Sequence, residues 1–153
     1  METKLKIKSV EDTNFLAKIL ADNLFEGIII GLTGDLGSGK TTFTKYLAKH
    51  MGITDIISSP TFMLLKIYES KLPLYHIDAY RLEDIGYDYE FDEYIYGRGV
   101  TVIEWYQYID MMLPKEILKI SLKVTGIEER EVRIEGEGRY EAIIEAIDNR
   151  YSN

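Results

Sequence analysis

Residues 28–42 read Ile28-Ile29-Ile30-Gly31-Leu32-Thr33-Gly34-Asp35-Leu36-Gly37-Ser38-Gly39-Lys40-Thr41-Thr42, an apolar run that passes directly into a glycine-spaced turn. No other stretch of the chain restricts its fold so tightly. A continuous apolar run bounded by Gly27 is the pattern of a strand covered on both faces, which belongs in a sheet with helices packed on it. The turn has the spacing G-x-x-x-x-G-K-T, the P-loop pattern, in which successive backbone N–H groups wrap a polyphosphate and a lysine adds a point charge. Beyond it Phe43, Leu47 and Met51 recur at helical spacing, and Gly52 supplies a stop. Strand, glycine loop and helix together form the context that gives this motif its meaning.

At 153 residues the chain is about one domain long, so a single P-loop domain over residues 1–153 is expected. It contains no cysteine and two histidines, which excludes disulfides, thiolate metal sites and an all-imidazole cluster. Any metal must be held mainly by oxygen. No apolar run approaches the roughly 18 residues of a membrane span. The first residues alternate Lys4, Lys6 and Lys8 with Leu5 and Ile7, unlike a signal peptide. The expected location is the cytoplasm, with no membrane partner. A formal net charge of −8 argues against a broad footprint for nucleic acid, whose phosphates are bound by clustered lysine and arginine. The stretch Glu128 to Arg150 mixes both signs, as a solvated surface does.

Around the central motif, residues 3–8 alternate as a strand, and Ser9-Val10-Glu11-Asp12 opens a helix whose Phe15, Leu16, Ile19, Leu20 and Leu24 share one face. Two strands are expected at Phe62–Tyr68 and Leu74–Tyr80, antiparallel across the link Ser70–Pro73. The segment 82–98 is acidic, rich in tyrosine and weakly periodic, which suits short helical turns. Val100–Ile103 reads as a second buried strand. Ile117–Val124 and Glu131–Ile134 flank the turn Thr125-Gly126-Ile127, and a helix over Tyr140–Asp148 closes the chain. The expected fold class is α/β, a P-loop NTPase-like domain with a mixed β-sheet flanked by helices.

The glycines at 34, 37 and 39 let the backbone turn its amides inward while the following helix directs its positive end at the phosphates. The candidate phosphate cradle is Asp35, Leu36, Gly37, Ser38, Gly39, Lys40, Thr41 and Thr42. Lys40 reaches the β- and γ-phosphates, the Thr41 hydroxyl ligates Mg2+, and Thr42 serves the α-phosphate through its amide. A nucleotide-bound metal takes few protein ligands, one often a carboxylate at the end of a buried strand. Two acids fit, Asp78 in "HIDAYR" and Glu104 after "VTVI", and both are candidate catalytic groups with Lys40. Glu104, directly after a largely apolar strand, is the preferred metal ligand beside Thr41. Which of the two touches the ion and which positions water stays open.

Several residues carry two readings. Thr61 in Ser59-Pro60-Thr61 is either part of a plain turn or a switch-like sensor of the γ-phosphate. Arg81 either neutralises charge at the site or pairs with an acid. His76 reads as a satisfied sheet residue more readily than as a base, and Trp105 is either core or an exposed contact. Eight of the twelve tyrosines fall between Tyr75 and Tyr108, which suits an interface as well as strand packing.

Taken in order, "GDLGSGKTTF" at 34–43, "SSPTF" at 58–62, "YHIDAYRLED" at 75–84 and "VIEW" at 102–105, with "LP" at 113–114, resemble the TsaE (YjeE) family of bacterial P-loop ATPases. The resemblance runs almost end to end. It implies binding and weak hydrolysis of ATP with Mg2+, in the pathway that places threonylcarbamoyl on adenosine in tRNA. It implies TsaD and TsaB as protein partners, with ATP turnover resetting their complex, and tRNA met only indirectly through it. Lys40, Thr41, Thr42, Asp78, Glu104 and Trp105 match the family's functional positions, and Thr61 falls in its switch-like loop. Ala79, where the family often has leucine, and the tyrosine-rich 87–96 segment depart from the pattern. A small-molecule kinase would use the same loop, but no basic lid follows Trp105; N-K-x-D and D-x-x-G, the marks of a GTPase, are both missing. A nucleotide sensor without turnover would carry the same residues as the ATPase.

Overall fold

A computed structural model describes residues 1–58, 64–82 and 86–151. Its centre is one seven-stranded sheet built from β1 (Glu2–Ile7), β2 (Ile29–Thr33), β3 (Leu65–Tyr68), β4 (Leu74–Asp78), β5 (Val100–Glu104), β6 (Leu118–Val124) and β7 (Arg130–Glu135). The order across the sheet is β1-β7-β6-β2-β5-β4-β3. The middle strands β6, β2, β5 and β4 run parallel, while β7 pairs antiparallel with both β6 and β1 on one side and β3 pairs antiparallel with β4 on the other. The sheet is mixed, as the sequence pattern requires.

Strand periodicity explains the two cores. In β2, Ile30 and Leu32 face a cluster formed with α1 (Val10–Ala21), α2 (Lys40–His50) and a C-terminal helix, residues Glu141–Tyr151. Ile29 faces the opposite cluster with Ile77, Ile103, Ile109 and Phe91. That second face is covered by α3, the single turn Asp92–Ile95, and by 3₁₀ turns at Tyr89–Phe91 and Tyr106–Met112. The C-terminal helix is α4. Each Leu, Ile or Phe buried in these clusters contributes roughly 1.5–3 kcal/mol, which is why continuous apolar strands end up at the centre.

Local signals place the element ends. Ser9 caps α1 by accepting from the Asp12 N–H at 3.4 Å, and the Asp12 carboxylate accepts from the Lys8 N–H at 2.9 Å, a reciprocal capping arrangement. Leu24 lies beyond the last turn of α1 and packs on the core from the following loop, because the helix stops at Ala21. The strand expected to reach Tyr80 ends at Asp78, where Ala79 N–H turns to the Glu104 carbonyl at 2.9 Å. Residues 62 and 63, expected at the start of β3, lie outside the described residues.

The run Tyr106–Met112 has no counterpart in the sequence reading. Gly31 makes room for it: a Cβ there would stand 2.5 Å from the Tyr106 ring. A glycine inside an otherwise apolar strand marks this close approach. Among the described residues no helix is long and apolar enough to cross a membrane.

Candidate functional site

The parallel strands β2, β5 and β4 end side by side. The chain leaves β2, builds β3 and β4 on one side, returns through β5, and then crosses to β6 on the other side. A crevice opens at such a switch in strand order, outside the carboxyl ends of the strands. Here it is a cleft of about 720 Å³ lined by Leu36 to Thr42, Asp78, Tyr80, Glu104, Trp105 and Arg130.

The glycine loop supplies one wall. A Cβ at Gly34 would stand 2.5 Å from Ser38 Oγ and 2.6 Å from the Leu122 carbonyl, so only glycine lets the loop close against β6. α2 begins after Gly39 with no side-chain cap and no acid in its first turn. Its positive end is therefore left for an anion. The Ser38 hydroxyl, tucked between Gly34 and β6, is buried without a hydrogen-bond partner among the described residues. Lys40 is only 7% exposed; its Nζ donates to the Gly34 carbonyl and, at 3.3 Å, to the Asp35 carbonyl. Burial holds the Lys40 ammonium below the usual lysine range, and the charges of Glu104, Asp78 and Asp35 partly restore it.

The carboxylates form the floor. Asp78 and Glu104 are register partners at the ends of β4 and β5. Glu104 is buried and accepts from His76 Nε2 at 2.7 Å, while His76 Nδ1 has no partner among the described residues. With its proton on Nε2, the ring turns one Glu104 oxygen into the sheet and fixes the carboxylate's direction. His76 is thus the buried sheet residue expected from the sequence, with an added part in orienting Glu104. Burial raises the Asp78 carboxyl above the usual range, opposed by the Tyr80 N–H that donates to its Oδ1 at 3.0 Å.

Asp78→Asn should therefore raise the melting temperature of the metal-free protein near neutral pH. The fold raises this carboxyl's pKa, so ionisation opposes folding at high pH. That penalty fades as the pH falls toward the ordinary value of 3.8, and the gain in the variant should shrink with it in melts run across the range. The amide keeps an acceptor for Tyr80. A lower melting temperature at every pH would contradict this account.

Trp105 closes the cleft. Its backbone is left-handed at φ 60°, uncommon for a bulky residue, and its N–H donates to the Leu32 carbonyl at 2.9 Å. Its ring lies 4.7 Å from Lys40 Nζ and packs with Tyr80 at 5.3 Å and Tyr108 at 5.9 Å. The half-buried indole is therefore a wall of the site and not core.

Of the expected residues, Leu36 to Thr42, Asp78, Glu104 and Trp105 come together at this cleft, with Asp35 beside Lys40. Arg81 is exposed and does not line it. Thr61 lies outside the described residues. Tyr80 and Arg130 were not singled out from the sequence. Arg130 sits among Glu128, Glu129 and Glu131, a mixed run expected to be solvated, yet it is half-buried against the loop; nothing local to that run signals this. The donor set offered to a cation is the Thr41 hydroxyl and two carboxylates, an all-oxygen set suited to Mg2+ held partly by phosphate. A buried lysine, inward-facing loop and oxygen donors fit a magnesium-bound nucleotide.

Fold and site together define a P-loop, ATPase-like α/β protein. The family model described as "Threonylcarbamoyl adenosine biosynthesis protein TsaE" matches residues 7–132, and the chain belongs to this family. Its relatives include proteins named "tRNA threonylcarbamoyladenosine biosynthesis protein TsaE" from Bacillus subtilis, 44% identical over 99% of this chain and 97% of the relative, and from Treponema pallidum, 40% identical over 83% and 96%. The crystal structure of Bacillus subtilis YdiB superposes with a TM-score of 0.84 at 39% identity, covering 100% of this chain and 97% of that one.

Proposed function

We propose that this chain is one P-loop ATPase domain that binds Mg-ATP in the cleft and hydrolyses its γ-phosphate in the cytoplasm, as part of tRNA threonylcarbamoyladenosine biosynthesis. It does so slowly alone and faster with the TsaB–TsaD pair, whose complex the turnover resets. tRNA is met only through that complex. The observation that carries the reading is the convergence of Lys40, Thr41, Asp78 and Glu104 on one cleft at the ends of adjacent parallel strands.

In this reading the loop amides and Lys40 bind the phosphates, and the helix dipole of α2 favours their charge. Thr41 and Glu104 would hold Mg2+, which would supply neutralisation of the phosphate charge. Glu104 suits that role because His76 holds its carboxylate in one direction. Asp78, beside it in register, positions the attacking water. Trp105, Tyr80 and Tyr108 screen this end of the cleft from bulk water and strengthen the interactions inside. Among the described residues lining the cleft the only arginine, Arg130, is engaged by backbone carbonyls, so a stabiliser for the developing γ-phosphate charge comes from, or is ordered by, the partner.

The test is phosphate release from Mg-ATP by the protein alone and with purified TsaB and TsaD. A rise of about tenfold or more on adding the pair is expected, from a slow basal rate. Tight binding without any release in the presence of both partners would leave a nucleotide sensor, and the hydrolysis reading would fall.

A further inference from the structure

We propose that Arg130 is a positioning residue that holds the glycine loop in its anion-binding shape and ties that loop to the β6–β7 turn. The inference rests on the reading of the cleft as a nucleotide site. Arg130 is the first residue of β7, far along the chain from the loop. Its Nε donates to the Ser38 carbonyl at 2.8 Å and its Nη2 to the Gly37 carbonyl at 3.2 Å. Its Nη1 donates to the carbonyls of Glu129 at 2.8 Å, Gly126 at 3.2 Å and Ile127 at 3.3 Å. One guanidinium thus engages five carbonyls from two separate segments.

The consequence follows from peptide geometry. No cis bond occurs among the described residues, and a trans peptide points its N–H opposite its C=O. Tethering Ser38 O to Arg130 therefore aims the Gly39 N–H the other way. Tethering Gly37 O does the same for the Ser38 N–H, which donates to the Asp35 carbonyl at 3.0 Å and closes the turn. Gly37 and Gly39 flank these peptides, and glycine flips at little steric cost. A flipped peptide would present a carbonyl where an amide has to meet an anion. Arg130 opposes that flip from outside the loop.

Lysine cannot substitute. An ammonium is a point charge with three donors, whereas these carbonyls are spanned by the planar five-donor fork of arginine. Charge and tether are therefore separable by Arg130→Lys, with Arg130→Met removing both. Two measurements decide: amide exchange at Ser38 in the nucleotide-free protein, followed by NMR, and the Mg-ATP dissociation constant from calorimetric titration. Both variants should exchange the Ser38 amide about tenfold faster and bind Mg-ATP about tenfold more weakly, with the amides of β2 and β5 as protected as in the parent. Parent-like binding by Arg130→Lys would mean that charge alone matters and would overturn the proposal. So would unchanged Ser38 exchange, or a loss of β2 and β5 protection in both variants, which would make Arg130 a general structural residue. If the parent itself fails to bind Mg-ATP, the nucleotide reading falls, and the exchange measurement still decides on the tether.

Discussion

Replacing Lys40 with alanine should weaken Mg-ATP binding by about 10–150-fold and lower phosphate release by about a hundredfold or more. The first figure is the 1.5–3 kcal/mol typical of a hydrogen bond to a charged group, converted to an equilibrium constant. The second is the usual loss on deleting one preorganised donor that faces developing charge. Lys40 carries both effects because its ammonium is already buried at the loop, held by the Gly34 and Asp35 carbonyls and by the Trp105 face. Little reorganisation is needed to turn it toward a phosphate. The fold should survive, since alanine is the best helix former and the variant no longer buries a cation that desolvation disfavours. Calorimetric titration and a phosphate-release assay check the two numbers, with a thermal melt as the control. Binding within about threefold of the parent would show that the cleft does not use Lys40 for phosphate, against the reading of the loop.

Glu104→Gln should separate binding from turnover. Glutamine matches the shape of glutamate and its amide oxygen still accepts from His76 Nε2, so the buried contact persists and the protein folds. What disappears is the negative charge. Nucleotide affinity in the absence of metal should stay within a few-fold of the parent, because the loop and Lys40 are untouched. Phosphate release should fall by about a hundredfold, and the Mg2+ concentration for half-maximal rate should rise. Asp78→Asn should also slow release but leave that Mg2+ midpoint in place, since Asp78 is assigned to water. Magnesium titrations of the two variants side by side are the measurement. A midpoint that moves in Asp78→Asn and not in Glu104→Gln would exchange the two roles.

Different parts of the molecule were legible in the sequence to different degrees, for identifiable reasons. The Ser9–Asp12 cap, the β2 strand and the start of α2 depend on residues adjacent in the chain, so their signals are local. Asp78 and Glu104 stood out because an acid at the end of an apolar strand is conspicuous, and the pairing of β4 with β5 sets them side by side. The Tyr106–Met112 turn was missed because its short 3₁₀ geometry has no amphipathic period, and its only mark is the glycine at position 31 of a distant strand. For Arg81 the sequence leaves two readings, a neutraliser of charge at the site or the partner of an acid. The chain turns sharply after β4, and that side chain ends up exposed and away from the cleft lining.

By itself the sequence determined the α/β class, the order of its strands and longer helices, the phosphate-type loop and the identity of the acids near it. Periodicity, glycine spacing and capping are short-range properties that contiguous residues encode without help. Only the tertiary structure decided which groups meet: His76 with Glu104, 28 residues apart, Arg130 with Ser38, 92 apart, and Trp105 over Lys40. These contacts depend on the strand order β1-β7-β6-β2-β5-β4-β3, which brings remote segments to one edge of the sheet. That order is set by the burial of apolar faces across the whole chain, so no single stretch of residues carries it.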